Sequence, residues 1–225
     1  MADKHELLAV AKPGDIEKKS FEIIDSEVSE PRKFQGIEWQ IARRMVHTTA
    51  DFELIDLVRF HPEAITNGLK SIRFGCTIVT DTEMAKCGIP VRRMVPLGCE
   101  VRCLINDSEV ITAAKLNLTT RAHAALELAA DKIKPAIHVI GNAPTALIRL
   151  VRLIESGKME VPALVVGMPV GFVNAAESKA MLMDCGYLPY ISIEGRKGGS
   201  ALAACVINAL AEVVLAEKKL SSECI

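Results

Sequence analysis

The run AIHVIGNAPTAL at residues 136–147 constrains the fold more than any other stretch. Residues 136–140, apolar apart from His138, end at Gly141. Asn142 follows as a helix N-cap, Pro144 falls in the first turn, and ALIRLVRLI continues with apolar residues at helical spacing. A short continuous apolar run suits a strand buried on both faces, and a proline just inside the next element suits a helix start. The design recurs twice. ALVVG at 163–167 leads through MPVGFVN into a helix from about residue 175, and PYISI at 189–193 leads through EGRKGGS into a long helix over about 200–218. Three consecutive strand–loop–helix units predict a parallel sheet with helices on its faces. Ligands of such sheets bind beyond the carboxyl ends of the strands. There the loops would present Gly141, Asn142 and Ala143, then Gly171 and Phe172, then Arg196, Lys197, Gly198 and Gly199. Backbone N–H groups and helix N-termini in such loops suit a carboxylate or phosphate. The alternative is that the glycines only permit tight turns.

The chain has 225 residues with no linker-like stretch, which fits one α/β domain over 1–225. Half the residues are hydrophobic but few are aromatic, so aliphatic side chains must fill the core. The formal net charge of −1 offers no global attraction for nucleic acid or an anionic membrane. No apolar run reaches the roughly 18 residues of a spanning helix, and residues 1–15 lack a signal-peptide pattern, so a cytoplasmic protein is expected. Seven scattered cysteines, with no CxxC pair, read as reduced packing residues. Neither GxGxxG after the first strand, GxxxxGK[ST], GxSxG nor HExxH occurs, so no metal site or bound cofactor is expected.

Residues 1–14 read as a lightly docked leader and 219–225 as a flexible tail. Ile16, Phe21, Ile24 and Val28 share a face of an amphipathic helix that also carries Ser20. A second helix, over about 36–51, bears Arg44, His47 and Thr48, with Asp51 at its end. Arg44 and His47 are three apart and share a helix face. An imidazole set between a cation and a carboxylate can exchange a proton near neutral pH, or it can simply meet the helix's terminal carbonyls. Residues 51–58 read as helix, 76–80 as strand, 83–87 as a helix capped by Asp81, 101–105 as strand and 112–132 as one long helix. Arg121 in that last helix is either a snorkelling surface cation or a carboxylate ligand. Histidines 61, 123 and 138 read as packing or surface residues.

From RMVHTTAD at 44–51 the sequence resembles the precorrin-8X methylmutase family of cobalamin biosynthesis. TRAHAAL at 120–126, GNAPTAL at 141–147, GMPVGFVNAAESK at 167–179 and GRKGGSA at 195–201 continue the resemblance in order and spacing. It covers about residues 20–210, and the 13-residue run at 167–179 is its most specific part. The resemblance implies a flavodoxin-like, three-layer α/β/α fold with a mainly parallel sheet, and a homodimer. It implies a tetrapyrrole substrate, precorrin-8X or cobalt-precorrin-8. A methyl group would move within it from C-11 to C-12, giving hydrogenobyrinate or cobyrinate and consuming no external donor. His47 corresponds to the family's acid/base histidine. Ser20 in KSFEII falls on a substrate-contacting serine, and Arg44 and Arg121 fall on its arginines. At Pro90 the chain departs from the threonine that relatives can carry, so no hydroxyl contact comes from that position. Two other functions fit the same loops: a non-catalytic tetrapyrrole carrier, and an unrelated α/β enzyme that binds phosphate esters.

Overall fold

A computed structural model of the chain describes residues 13–223, so the expected leader lies outside it except for Pro13 and Gly14, as do the last two residues of the tail. The sheet is built around β4 (Ile137–Ile140) and β5 (Leu164–Gly167), every residue of which is buried. Alternate side chains leave a strand on opposite faces. Ile137, Val139, Leu164 and Val166 join one core cluster, while Ile140 and Val165 join another on the far side. Strands buried at every position, and apolar at all but His138, therefore demand cover on both faces, which gives three layers.

β2 (Thr77–Thr80) pairs parallel with both β3 (Glu100–Cys103) and β4, β4 with β5, and β5 with β6 (Tyr190–Ile193). A short strand, β1 (Val58–Phe60), adds antiparallel to β6, and the order is β1-β6-β5-β4-β2-β3. The five parallel strands, numbered among themselves, stand in the flavodoxin order 2-1-3-4-5, whose switch point lies between β2 and β4. One face carries α1 (Pro13–Glu27), α2 (Gly36–Thr49), α4 (Ala64–Arg73) and α11 (Ser200–Glu223), with α3 (Leu54–Leu57), α5 (Glu83–Cys87) and α6 (Val91–Met94) as short turns beside them. The other carries α7 (Ser108–Leu116), α8 (Arg121–Leu128), α9 (Pro144–Glu155) and α10 (Ala175–Asp184).

α11 is long and apolar enough to cross a membrane by composition. Its apolar residues from Leu202 to Val214 are instead mostly buried against the first face, with α2 and α4. It runs to Glu223, past the end expected near residue 218.

Three local expectations are corrected. Residues 51–58 are not one helix: α3 is a single turn, and β1 follows it as an edge strand too short for its period to show. The helix expected over 112–132 is broken. Leu118 takes the left-handed conformation (φ 49°), and the Thr120 hydroxyl caps α8 by accepting from the His123 N–H at 3.2 Å. Asn117, Thr119 and Thr120 cluster at the break, and such residues compete for backbone groups and favour helix ends. Finally, α5 is capped by Thr82, whose hydroxyl accepts from the Ala85 N–H, and not by Asp81.

Candidate active site

Asp81 stands at the switch point, just beyond β2, and its carboxylate faces the loop beyond β4. It accepts the N–H groups of Gly141, Asn142 and Ala143 at 2.9, 2.8 and 2.7 Å. The N-cap of α9 is Ala143, with Pro144 following, and Asn142 is exposed. The amides that would have welcomed a ligand anion are therefore filled by the chain's own carboxylate. Burial pushes the Asp81 carboxyl above its ordinary range, while the three amides pull it down. Gly141 is required here by close approach. A Cβ would lie 2.6 Å from the Ser200 Cα, at the start of α11. The neighbouring loops are likewise closed on themselves. The Gly199 N–H donates to the Met168 carbonyl, and the Gly171 N–H to that of Arg196.

Another cluster of polar groups forms where α1 lies against the C-terminal turn of α2. His47 Nδ1 and the Ser20 hydroxyl are 2.7 Å apart. Phe21 meets the imidazole edge-on, with centroids 5.2 Å apart. One turn back on the same face, Arg44 anchors the helix. It is buried, and its guanidinium is held by Glu17 of α1 at 2.9 Å and by Glu212 of α11. Glu212 also takes Arg93 of α6 at 2.6 Å. This ion-pair network fixes α1 on α2 and so fixes Ser20 on His47. The charge expected to meet a substrate carboxylate is met by the chain itself.

With Nδ1 engaged by Ser20, Nε2 is the nitrogen left to exchange a proton. Among the described residues nothing bonds to it. Either tautomer serves: Ser20 donates to a bare Nδ1 and Nε2 carries the proton, or Nδ1–H donates to Ser20 and Nε2 accepts one. The pair borders a groove of about 470 Å³ with apolar walls, among them Ile16, Ile23, Val46 and Phe52. Ile16, expected on the core face of α1, is exposed at 55% and belongs to this groove.

Thr48 is exposed one residue beyond His47, its hydroxyl donating to the Arg44 carbonyl at 2.7 Å. Asp51, expected to face the imidazole, pairs instead with Lys197 Nζ at 2.5 Å, and Glu53 joins at 2.7 Å. The Lys197 ammonium holds the Asp51 carboxyl below its ordinary range. This pair brings the loop beyond β6 to the end of α2. Arg196 lies over the exposed Phe172 ring, 5.6 Å from its centroid, so the second and third loops share a rim with Gly171, Gly198 and Gly199. Arg121 is elsewhere. It is exposed in the first turn of α8, bonded to Asn106 beyond β3, and has no described contact with the His47 group.

Two functional supports escape the sequence pattern, Asp81 and Lys179. Lys179 is fully buried in α10 and donates to the Lys197 carbonyl at 2.5 Å, holding the cationic loop from below. Burial pushes its ammonium down to about 8. Its signals are its place at the end of the run GMPVGFVNAAESK and the small and apolar residues that follow it. No group of three or more His, Cys, Asp or Glu side chains suited to a metal occurs among the described residues.

Comparison with known proteins gives one family. The family model for precorrin-8X methylmutase matches residues 15–213. The cobalt-precorrin-8 methylmutase of Leptospira interrogans is 42% identical over 203 residues, covering 87% of this chain and 91% of the relative. That of Priestia megaterium is 42% identical over 212 residues, covering 94% and 92%. The solved structure of precorrin-8X methylmutase from Thermus thermophilus superposes with a TM-score of 0.82 at 45% identity, covering 89% of this chain and 96% of that one. A match over nearly the whole chain, in sequence and in fold alike, places the chain in the precorrin-8X methylmutase family.

Proposed function

We propose that the protein is a methylmutase acting on precorrin-8X or cobalt-precorrin-8, moving a methyl group from C-11 to C-12 of the macrocycle. The observation that carries the mechanism is the 2.7 Å contact between Ser20 and His47 at the edge of an apolar groove. A corrin precursor is a flat apolar ring fringed with carboxylates. Its ring suits the groove walls and the exposed Val170, Phe172 and Val173, and its fringe suits Lys19 at the groove and Arg196 at the rim, with Arg121 meeting a carboxylate only from the α8 side.

The reaction is an isomerisation, so a proton given must be returned. His47 Nε2 protonates the conjugated system, which becomes electron-poor and lowers the barrier to methyl migration. The same nitrogen recovers the proton once the methyl has settled. Ser20 keeps the imidazole oriented through both transfers. No external methyl donor and no bound cofactor enter this scheme; cobalt, where present, arrives within the substrate. We place the enzyme in the cytoplasm as a homodimer, with no nucleic-acid or membrane partner.

The test is a visible absorption titration of the purified protein with hydrogenobyrinic acid, repeated with cobyrinic acid. A near-stoichiometric spectral shift with either corrinoid is expected. No shift with either at micromolar protein overturns the assignment.

A further inference from the structure

At the opposite edge of the sheet, two short sequences repeat. Gly75-Cys76 enters β2 and Gly98-Cys99 enters β3. Both glycines lie in the left-handed region, at φ 74° and 69°. A Cβ on Gly75 would sit 2.8 Å from the Gly98 carbonyl oxygen, so the two chain entries close on each other only because that side chain is missing. The Glu100 N–H donates to the Cys76 carbonyl at 3.0 Å and locks the register. The two sulfurs then stand side by side, 3.9 Å apart.

We infer that Cys76 and Cys99 form a reversible redox site, closing to a disulfide when a small-molecule disulfide reaches the groove beside Cys76. Neighbouring strands lie about 4.8 Å apart, within the span a disulfide tolerates between Cα atoms. The sulfurs must close by about 1.9 Å to reach bonding distance of about 2.0 Å. Access is one-sided. Cys76 lines an open groove of about 520 Å³ with Phe74, Tyr187 and Pro189, whereas Cys99 is buried behind it. That asymmetry assigns the roles. Cys76 passes its proton to the neighbouring Cys99 thiolate as it attacks one sulfur of the small disulfide, making a mixed disulfide and releasing one thiolate, which takes that proton from Cys99. Cys99 then attacks Cys76 Sγ and expels the second. Two cysteine thiols lose two electrons and two protons, and one small disulfide becomes two thiols.

The electrostatics place the charge first on Cys99, which serves as the base for Cys76 before it attacks in its turn. The hydrogen bond between the two sulfurs, and secondarily the Lys218 ammonium, hold the Cys99 thiol down to about 6, while the same bond pushes Cys76 up. The two share one proton, so the pair loses its first proton more readily than an isolated buried thiol would. Lys218 is fastened nearby through the Pro96 carbonyl, at 3.1 Å. The site is remote from His47, and its chemistry does not depend on the reaction proposed above.

The experiment treats the folded protein with oxidised glutathione, quenches with acid and N-ethylmaleimide, and maps tryptic peptides by mass. Cys76 falls in FGCTIVTDTEMAK (74–86) and Cys99 in MVPLGCEVR (94–102). The expected product is these two peptides joined, lighter than their sum by two hydrogens and separated again by dithiothreitol. Cys99→Ser should instead trap glutathione on Cys76. The exposed Cys87 reports that the reagent is active. A mixed disulfide persisting on Cys76 in the unchanged protein would overturn the proposal. So would two free peptides while Cys87 carries glutathione.

Discussion

The sheet's switch point and the α1–α2 groove make opposite use of the same kind of group. At the switch point, topology and loop amides together prepare a place for an anion, and Asp81 takes it. At the groove a histidine and a serine meet beside apolar walls, with nothing among the described residues bonded to the outer imidazole nitrogen. The first site has donors and no vacancy, and the second has a reactive atom and room. The carboxylate built into the switch point holds the loop beyond β2 to that beyond β4, and the 2.8 Å contact between the Thr82 and Ser200 hydroxyls adds the loop beyond β6. Once the frame is rigid, chemistry can be mounted at its margin, on the packing of two helices.

The largest effect tests the groove. His47→Ala should lower turnover by about 10²–10⁴-fold, the range of a positioned acid/base group, while the corrinoid titration keeps its stoichiometry. Near-normal turnover would move the proton chemistry away from the groove and undo the contrast. The next tests the switch point. Asp81→Asn keeps the shape but turns one acceptor oxygen into a donor facing amide donors, so stability should fall by about 1–3 kcal/mol in urea unfolding. Turnover per folded molecule should change little. If instead the variant unfolds like the unchanged protein but has lost turnover, Asp81 belongs to the reaction, and the two regions have been assigned the wrong way round.

Much of this frame is legible in the sequence, and the boundary of legibility has a physical form. The strands β4, β5 and β6 announce themselves because buried parallel strands are apolar at nearly every position, His138 and Ser192 being the exceptions here. His47 and Ser20 stand out through their resemblance to a family, since neither residue's spacing alone implies a partner 27 positions away. What escapes is long-range pairing of polar groups. Asp81 precedes a helix and reads as its cap, yet its partners lie 60 to 62 residues on. Arg44 and Lys197 read as free cations, because Glu212 and Asp51 become their neighbours only when α11 and the β6 loop are in place. Local pattern shows which groups are charged, and tertiary structure decides which are already answered.

His138 probes how dry the frame is beneath the switch-point loop. It sits in β4 with Nε2 buried and without a partner among the described residues, and burial pushes its imidazole down to about 4. The unfolded chain takes up this proton near pH 6.5, and the folded chain does not until about 4. Between those values the unfolded state binds more protons, so stability falls as pH falls, by about 3 kcal/mol in all. Above pH 6.5 the group adds no slope. His138→Leu should remove that acid slope, read as the urea midpoint at intervals from pH 7 to 4. Parallel curves for the two proteins would show that the strand is wetter than its packing implies.

The smallest effect bears on Arg121, which stands on the switch-point side of the comparison. Its place depends on a helix start that Thr120 makes, through its bond to the His123 N–H and a 2.9 Å contact with Thr145 at the head of α9. Thr120→Ala should cost about 1 kcal/mol of stability, the ordinary price of losing an N-cap. Its kinetic consequence is more informative than its size. If Arg121 holds a carboxylate at the fringe of the macrocycle, loosening its helix start weakens binding in ground and transition states alike. KM then rises about threefold with kcat intact, whereas a change in kcat would tie Arg121 to the migrating methyl group. A rise in KM alone would make the switch-point side a contributor of grip and the groove the seat of reaction. An unchanged KM and kcat would leave Arg121 as the surface cation that its exposure and its bond to Asn106 equally allow.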